Sequence, residues 1–278
     1  MADSQVLSAI RTTSLQRQRA LWALGIGLLA LLWLSLLLGR YPTPGFISLE
    51  RLMSDELAWR LVFQLRLPRL LTALLLGMSL SAAGFVFQLL FGNPLVEPGF
   101  LGVSQGAAFG AALSIVFFSS AALVVQTNAA LFALAGLAFS YLLARRLRYG
   151  GWVLRLILAG IAISAFFSAG VGLLKLLADP LSQLPEITFW LLGGLASVTW
   201  QKFFSVLPFS LVGLALLLLY RWRLNLLALS DETAFSLGAA PQRERALLIV
   251  AAVLPTAALI SVAGMVGWVG LIVPHLAR

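Results

Sequence analysis

The sequence predicts an all-α polytopic transmembrane helix bundle of about eight spans, and three observations carry that reading. Of its 278 residues, 61% are hydrophobic and 10% are charged, with a mean hydropathy of +1.00. A soluble core of this length could not hide so much apolar surface. The charged residues fall in clusters between apolar runs, and several runs approach the ~20 residues that a helix needs to cross about 30 Å of hydrocarbon. The formal charge of +9 would suit nucleic acid, but Lys and Arg clustered between apolar runs fit orientation in a lipid bilayer, so no nucleic-acid partner is expected. Cysteine is absent, which excludes disulfides, thiol redox chemistry and Cys-ligated metal. His275 is the only histidine, so no multi-imidazole site can form within one chain and no metal is expected.

The elements follow in order. Arg11, Arg17 and Arg19 precede a run of about 20 uncharged residues, too long for a signal peptide and followed by no Ala-x-Ala-like cleavage site. Residues 1–19 therefore read as a cytoplasmic tail, and 20–39 as a retained first span. A polar connection, 40–64, holds the breakers Pro42, Pro44 and Gly45 and a mixed-charge patch of Glu50, Arg51, Asp55, Glu56 and Arg60. The second span is 68–90, with Pro68 tolerated in a first helical turn, and the turn 92–98 ends it. The apolar block 98–144 holds two spans joined near Gln126-Thr127-Asn128. The fifth span is 152–177. Residues 179–186 form a polar turn, 187–200 a short or partial helix at the membrane face, and 203–220 the sixth span. Beyond a polar stretch, 224–245, lie a seventh span at 246–260 and an eighth at 262–276.

An N-terminus inside places 12 basic residues in the cytoplasm and seven outside, the sense of the positive-inside rule. The outer seven include Arg40, Arg51, Arg60, Arg66 and Arg69, a concentration that asks for a reason. No span holds an Asp or Glu, which disfavours an ion-coupled carrier. Lys175 and Lys202 lack the Gly-Lys-Ser/Thr context of a phosphate loop, so the chain is no ATPase. If it pumps, another subunit supplies the energy. A handle for such a subunit is offered by Ser230-Asp231-Glu232-Thr233-Ala234-Phe235-Ser236-Leu237-Gly238: Ser230 suits an N-cap, Asp231 and Glu232 the first turn, and Gly238 the stop. The spacing predicts a two-turn helix, 231–237, on the cytoplasmic side, the alternative being an ordinary capped loop helix. Gly102, Gly106 and Gly110 recur every four residues, a smooth stripe that allows close helix packing.

Five stretches, in order, resemble the FecCD-type permeases of ATP-binding-cassette importers, which carry ferric siderophores, haem and cobalamin. They are Arg66-Leu67-Pro68-Arg69; Gln88 and Asn93-Pro94-Leu95 with Pro98 and Leu101-Gly102; Phe189-Trp190-Leu191-Leu192-Gly193-Gly194; residues 226–238; and Gly264-Met265-Val266-Gly267-Trp268-Val269-Gly270-Leu271-Ile272-Val273-Pro274-His275-Leu276-Ala277-Arg278. The resemblance implies a permease domain over 20–278 that uses alternating access in the bacterial inner membrane. It implies as partners a second permease copy, two ATP-binding subunits that carry ATP and Mg, and a periplasmic substrate-binding protein. This chain would bind no cofactor itself. Arg66 and Arg69 then match arginines that dock the binding protein, the alternative being anchors to headgroups. Residues 231–237 match the coupling helix, and Asn93 and Pro94 an inner-face turn of structural role. The family has ten spans, and its last two are expected to be missing here. A non-transporting membrane scaffold or receptor is the rival from another class.

Overall fold

The structure, a computed structural model, describes residues 2–41 and 43–277, with the backbone alone at 2–15 and 17. Pro42 and Arg278, and the side chains of Arg11 and Arg17, lie outside the described residues. Contacts divide the chain into two units, residues 1–70 and 71–278.

In the first unit, residues expected as a tail belong to one continuous helix, α1 (Ala2–Leu37), whose segment Gln18–Leu37 has a mean hydropathy of 2.3. A two-residue hairpin pairs β1 (Leu38–Gly39) with β2 (Gly45–Phe46). The connection after it is helical rather than polar coil, because two side chains start short helices. Ser48 accepts from the Arg51 amide (3.3 Å) and caps α2 (Leu49–Ser54). Asp55 accepts from the Leu57 amide (2.9 Å) and caps α3 (Glu56–Arg60), while its other oxygen takes the Tyr41 hydroxyl (3.0 Å). Each such cap is worth about 1 kcal/mol. Ile47, Leu52, Ala58 and Val62 close a small apolar core beneath them.

The second span starts earlier than expected. From α3 the chain runs through a π turn, Leu61–Arg66, into α4 (Leu67–Phe91), an apolar helical run of 36 residues, Glu56–Phe91. Pro68 therefore sits inside a helix and not in its first turn. The wide turn lies just before it, with the Leu67 amide bonded to the Val62 carbonyl five residues back, which is where a ladder lacking one N–H has to loosen.

The second unit continues from α4 through a 3-10 turn, Pro98–Leu101, into α5 (Val103–Leu113), extended by a π turn, Ser114–Phe118. Then come α6 (Ala122–Arg146), α7 (Trp152–Leu177), α8 (Gln183–Leu192), α9 (Trp200–Leu219), α10 (Arg221–Leu227), α11 (Asp231–Ser236), α12 (Pro241–Ala263) and α13 (Val269–Leu276). Among the described residues six helices are long and apolar enough to cross a membrane, in α1, Glu56–Phe91, α6, α7, α9 and α12, and Val103–Phe118 is a shorter apolar helix. The chain is an all-α polytopic bundle. α12 is its centre: 78% of its apolar window is buried, and it packs on α5, α6 and α9.

Four boundaries differ from expectation, each for a local reason. The break in the block 98–144 falls at 119–121, because Gln126 donates to Ser205 Oγ (2.7 Å) and Asn128 to the Val124 carbonyl (3.0 Å), so both sit inside α6 as satisfied helix residues. α8 begins within the expected polar turn and takes in Glu186. α12 begins at Pro241, with Arg243, Glu244 and Arg245 forming its first turns, and it carries Pro255, whose ring fills the space left by Gly213. The eighth expected span is the eight-residue α13, preceded by an irregular stretch, 264–268.

α5 lies against α6 and α7. A Cβ at Gly106 would overlap the Phe132 carbonyl, and one at Gly110 the Asn128 carbonyl. Ser140 adds a hydrogen bond to the Leu101 carbonyl (2.9 Å). Backbone approach of this kind replaces the hydrophobic drive that lipid cannot supply. Gly106→Leu should therefore separate the helices and cost about 1–3 kcal/mol, read as a lower melting temperature of the purified protein. Gly172→Leu, where a Cβ meets nothing within 4 Å, should leave the melting temperature unchanged.

Candidate functional site

Two places in the second unit have the chemistry of a working site. The first is the corner made by α10, α11 and the start of α12. Ser230 caps α11, its Oγ accepting from the Thr233 amide (3.3 Å) and lying 2.8 Å from Thr233 Oγ1. Gly238, at φ +81°, ends it. Arg245, 7% exposed, reaches from the second turn of α12. Its Nη1 donates to Asp231 Oδ1 (2.6 Å) and its Nη2 to the Leu227 carbonyl (3.2 Å), and the guanidinium lies 4.9 Å from the centre of the Trp152 ring. One cation thus joins the end of α10, the first residue of α11, α12 and the foot of α7. Arg223 adds a bond to the Gly238 carbonyl (3.3 Å), and Glu244 accepts from the Ala240 amide (3.1 Å). α11 buries Ala234 and turns Phe235, 73% exposed, and Leu237, 57% exposed, outward. Phe235 lies in the stretch expected as a handle, whereas Arg245 was not singled out from sequence, although an Arg one turn into an apolar helix with an Asp fourteen residues before it is a visible pairing.

The second place is where the turn after α4 meets the irregular stretch before α13. The turn after α4 is built by Asn93, whose Oδ1 accepts from the Leu95 amide (2.9 Å), and by Pro94 and Pro98. It brings Glu97 back beside the α4 span: a Cβ on Gly270 would lie 3.1 Å from the Leu80 carbonyl and 3.5 Å from Glu97 Oε2. Glu97 Oε2 thus faces the start of α13. Trp268, at φ +71°, is the one non-glycine residue with a positive φ among the described residues, a strained conformation that the surroundings must hold. Gln88, also buried, donates to the Leu271 carbonyl (3.0 Å). Glu97, Ser104, Gln105, Ser164 and 265–267 line a cavity of about 320 Å³. Irregular backbone at this depth is tolerated where it is buried in protein or lines a cavity, and broken helices mark substrate paths in transporters. In sequence Glu97 belongs to a connection, and the fold carries that connection back against the span.

The remaining sequence candidates are placed as follows. Gly102 is the left-handed residue, φ +80°, that starts α5, and Gly106 and Gly110 face α6. In the first unit Arg66 is half-buried and spends Nη1 on the Leu36 carbonyl (3.0 Å), in space that exists because residue 39 is glycine. Arg69 also has partners within the chain. A third cavity, about 400 Å³, is lined by Gln126, Glu186, Ser197 and Lys202 among others, with Lys202 Nζ 3.2 Å from Ser197 Oγ.

Apolar spans around a buried central helix, a broken segment before α13 and a small capped helix tied to the central helix by one guanidinium fit a polytopic transport subunit. Residues 27–278 match the model of the FecCD transport family, and the chain belongs to that family. The molybdate import system permease protein MolB of Haemophilus influenzae is 40% identical over 253 residues, 88% of this chain and 74% of the relative. The hemin transport system permease protein HmuU of Yersinia pestis is 36% identical over 240 residues, 84% of this chain and 70% of the relative. A solved structure in an inward-facing conformation, assigned to the metal-chelate type of ABC transporter, superposes with a TM-score of 0.85 at 38% identity, covering 94% of this chain and 81% of that one. The chain is the transmembrane permease subunit of an ABC importer, multi-pass in the membrane.

The Arg245 linkage makes a local prediction. Asp231→Ala leaves a guanidinium with 9% side-chain exposure facing an empty position. It should raise amide exchange across 231–237 roughly tenfold, since losing one charge-assisted bond at a half-exposed carboxylate costs about 1–2 kcal/mol. Glu232→Ala, one residue away and without a partner bond from its side chain among the described residues, should not.

Proposed function

We propose that the chain imports an iron chelate, a ferric siderophore or haem, with cobalamin next, by alternating access driven from outside the chain. Two ATP-binding subunits holding ATP and Mg would dock on α11 from the cytoplasm, a periplasmic binding protein would deliver the cargo, and a second permease copy would complete the path. The chain itself would bind no cofactor. The observation that carries this reading is the α11 corner: a helix of six residues, capped at both ends, cross-braced to α12 by Arg245 and presenting Phe235 and Leu237 to nothing in the chain. An apolar pair exposed on a rigid helix outside the bilayer is what a groove on a soluble partner takes up. Closing that partner would pull α11, and through Arg245 and Asp231 the foot of α12, so the central helix moves with the power stroke.

The same orientation puts the N-terminus in the cytoplasm and Arg66 and Arg69 at the periplasmic face. Docking of the binding protein at those two arginines rests on the resemblance. In the fold both already have partners within the chain, Arg66 through the Leu36 carbonyl. Asn93 and Pro94 act as a structural turn.

A second reading of the cargo is supported by the 40% identity to a molybdate import permease. Under it the cargo is an oxyanion, and the mechanism is otherwise unchanged. An ion-coupled carrier is disfavoured although Glu97 lies beside the α4 span, because no group of three or more His, Cys, Asp or Glu that could hold a cation occurs among the described residues.

The test uses the permease co-expressed with its ATP-binding subunit and binding protein. Phe235→Asp buries a charge at the proposed joint and should cut co-purification of the ATP-binding subunit by about 100-fold, since an unpaired buried charge at an interface costs 2–5 kcal/mol. Uptake of ferric chelate should fall with it and should fail on ATP depletion. Full uptake by the Phe235→Asp variant, or uptake abolished by a protonophore at constant ATP, would remove the proposal. Uptake of molybdate but not chelate would move the cargo to the second reading.

A further inference from the structure

Four guanidiniums gather where α6, α7 and α12 end. Arg145 is in the last turn of α6, Arg155 in the first turn of α7, and Arg243 and Arg245 in the first turns of α12. They line one cavity of about 830 Å³ with Trp152 at its wall. The one carboxylate in the lining is Asp231, and Arg245 already occupies it. Arg155 donates Nη1 to the Leu147 carbonyl (3.0 Å). Beyond these bonds, Nε of Arg155 and Nε of Arg245 are buried with no hydrogen-bond partner. The lining thus sets four guanidiniums against one carboxylate, a surplus of positive charge.

The geometry points to a binding site for the phosphate of an anionic phospholipid headgroup in this cavity. A phosphate supplies several acceptors and matches the planar forks of Arg, which Lys would not. The cavity sits at the ends of three membrane helices, the depth at which headgroups lie, and basic pockets between spans at that depth take anionic headgroups. Its flanks favour lipid over a soluble anion. Tyr141, 41% exposed, stands in its lining with Trp152 and Ala246, a largely apolar wall along which an acyl chain can run. Through Arg245 the bound phosphate touches the residue that holds α11, so headgroup charge would stiffen the docking corner. The site requires only that α6, α7 and α12 end at the headgroups and is independent of which cargo is carried.

The test is native mass spectrometry of the delipidated full-length chain titrated with phosphatidylglycerol, with phosphatidylcholine, and with inorganic phosphate as competitor. Phosphatidylglycerol should bind at least tenfold more tightly than phosphatidylcholine. Arg243→Gln, at an exposed position that leaves the Arg245 bond to Asp231 intact, should weaken it about fivefold, and Arg155→Gln with Arg243→Gln about 25-fold, at about a fivefold loss per arginine near the surface. Arg51→Gln, which is not in the lining of this cavity, should change nothing. Equal binding of the two lipids, or no loss in the double variant, would overturn the assignment. Displacement of phosphatidylglycerol by millimolar phosphate would overturn it as well, because the ligand would then be a soluble anion.

Discussion

A guanidinium buried at the foot of the central helix is the contact on which the functional architecture depends. Arg245 belongs to α12 by sequence, yet its bonds go to the end of α10 and the first residue of α11. A charge with so little exposure persists only when it is paired and hydrogen-bonded. Asp231, the Leu227 carbonyl and the Trp152 ring meet that demand, and in doing so they fix α11 to α12. The exposed pair proposed to dock a partner, Phe235 and Leu237, therefore sits on an element that cannot swing freely.

The other constraint is the hydrocarbon itself, which lets no backbone amide or carbonyl go unpaired. Most of the chain obeys by being helix. Where it is not helix or a helix begins, side chains take over: Asn93 closes the turn after α4, and Gln88 reaches from α4 to the Leu271 carbonyl in the first turn of α13. The start of α13 thus lies against both α4 and the connection that follows α4. Polar groups concentrate where the helices stop, and the 320 Å³ cavity opens there.

Much of this was legible in the residues. The span at 152–177 and the helix at 231–237 follow from uninterrupted apolar length in one case and from Ser230, Asp231 and Gly238 in the other, signals that act within a few residues. The failures have a common cause. Gln126 and Asn128 read as a loop because a polar side chain in a span looks like an interruption, and its partner, Ser205, is far along the chain. Arg243, Glu244 and Arg245 read as connection for the same reason, although they are the start of α12. Pro68 read as a helix start because the π turn that accommodates it leaves no mark on composition. Glu97 could not be placed from sequence at all, since its position depends on Gly84, Gly270 and Leu80 meeting across the fold.

ATP hydrolysis and cargo uptake, measured together in proteoliposomes that hold the permease, its ATP-binding subunit and its binding protein, test the link from α11 to α12 most directly. With Asp231→Ala the account predicts uncoupling: the ATP-binding subunit still docks through Phe235 and hydrolyses ATP, while uptake per ATP falls about tenfold, as loss of a coupling worth about 1.4 kcal/mol would give. An unchanged ratio of uptake to hydrolysis in that variant would contradict it.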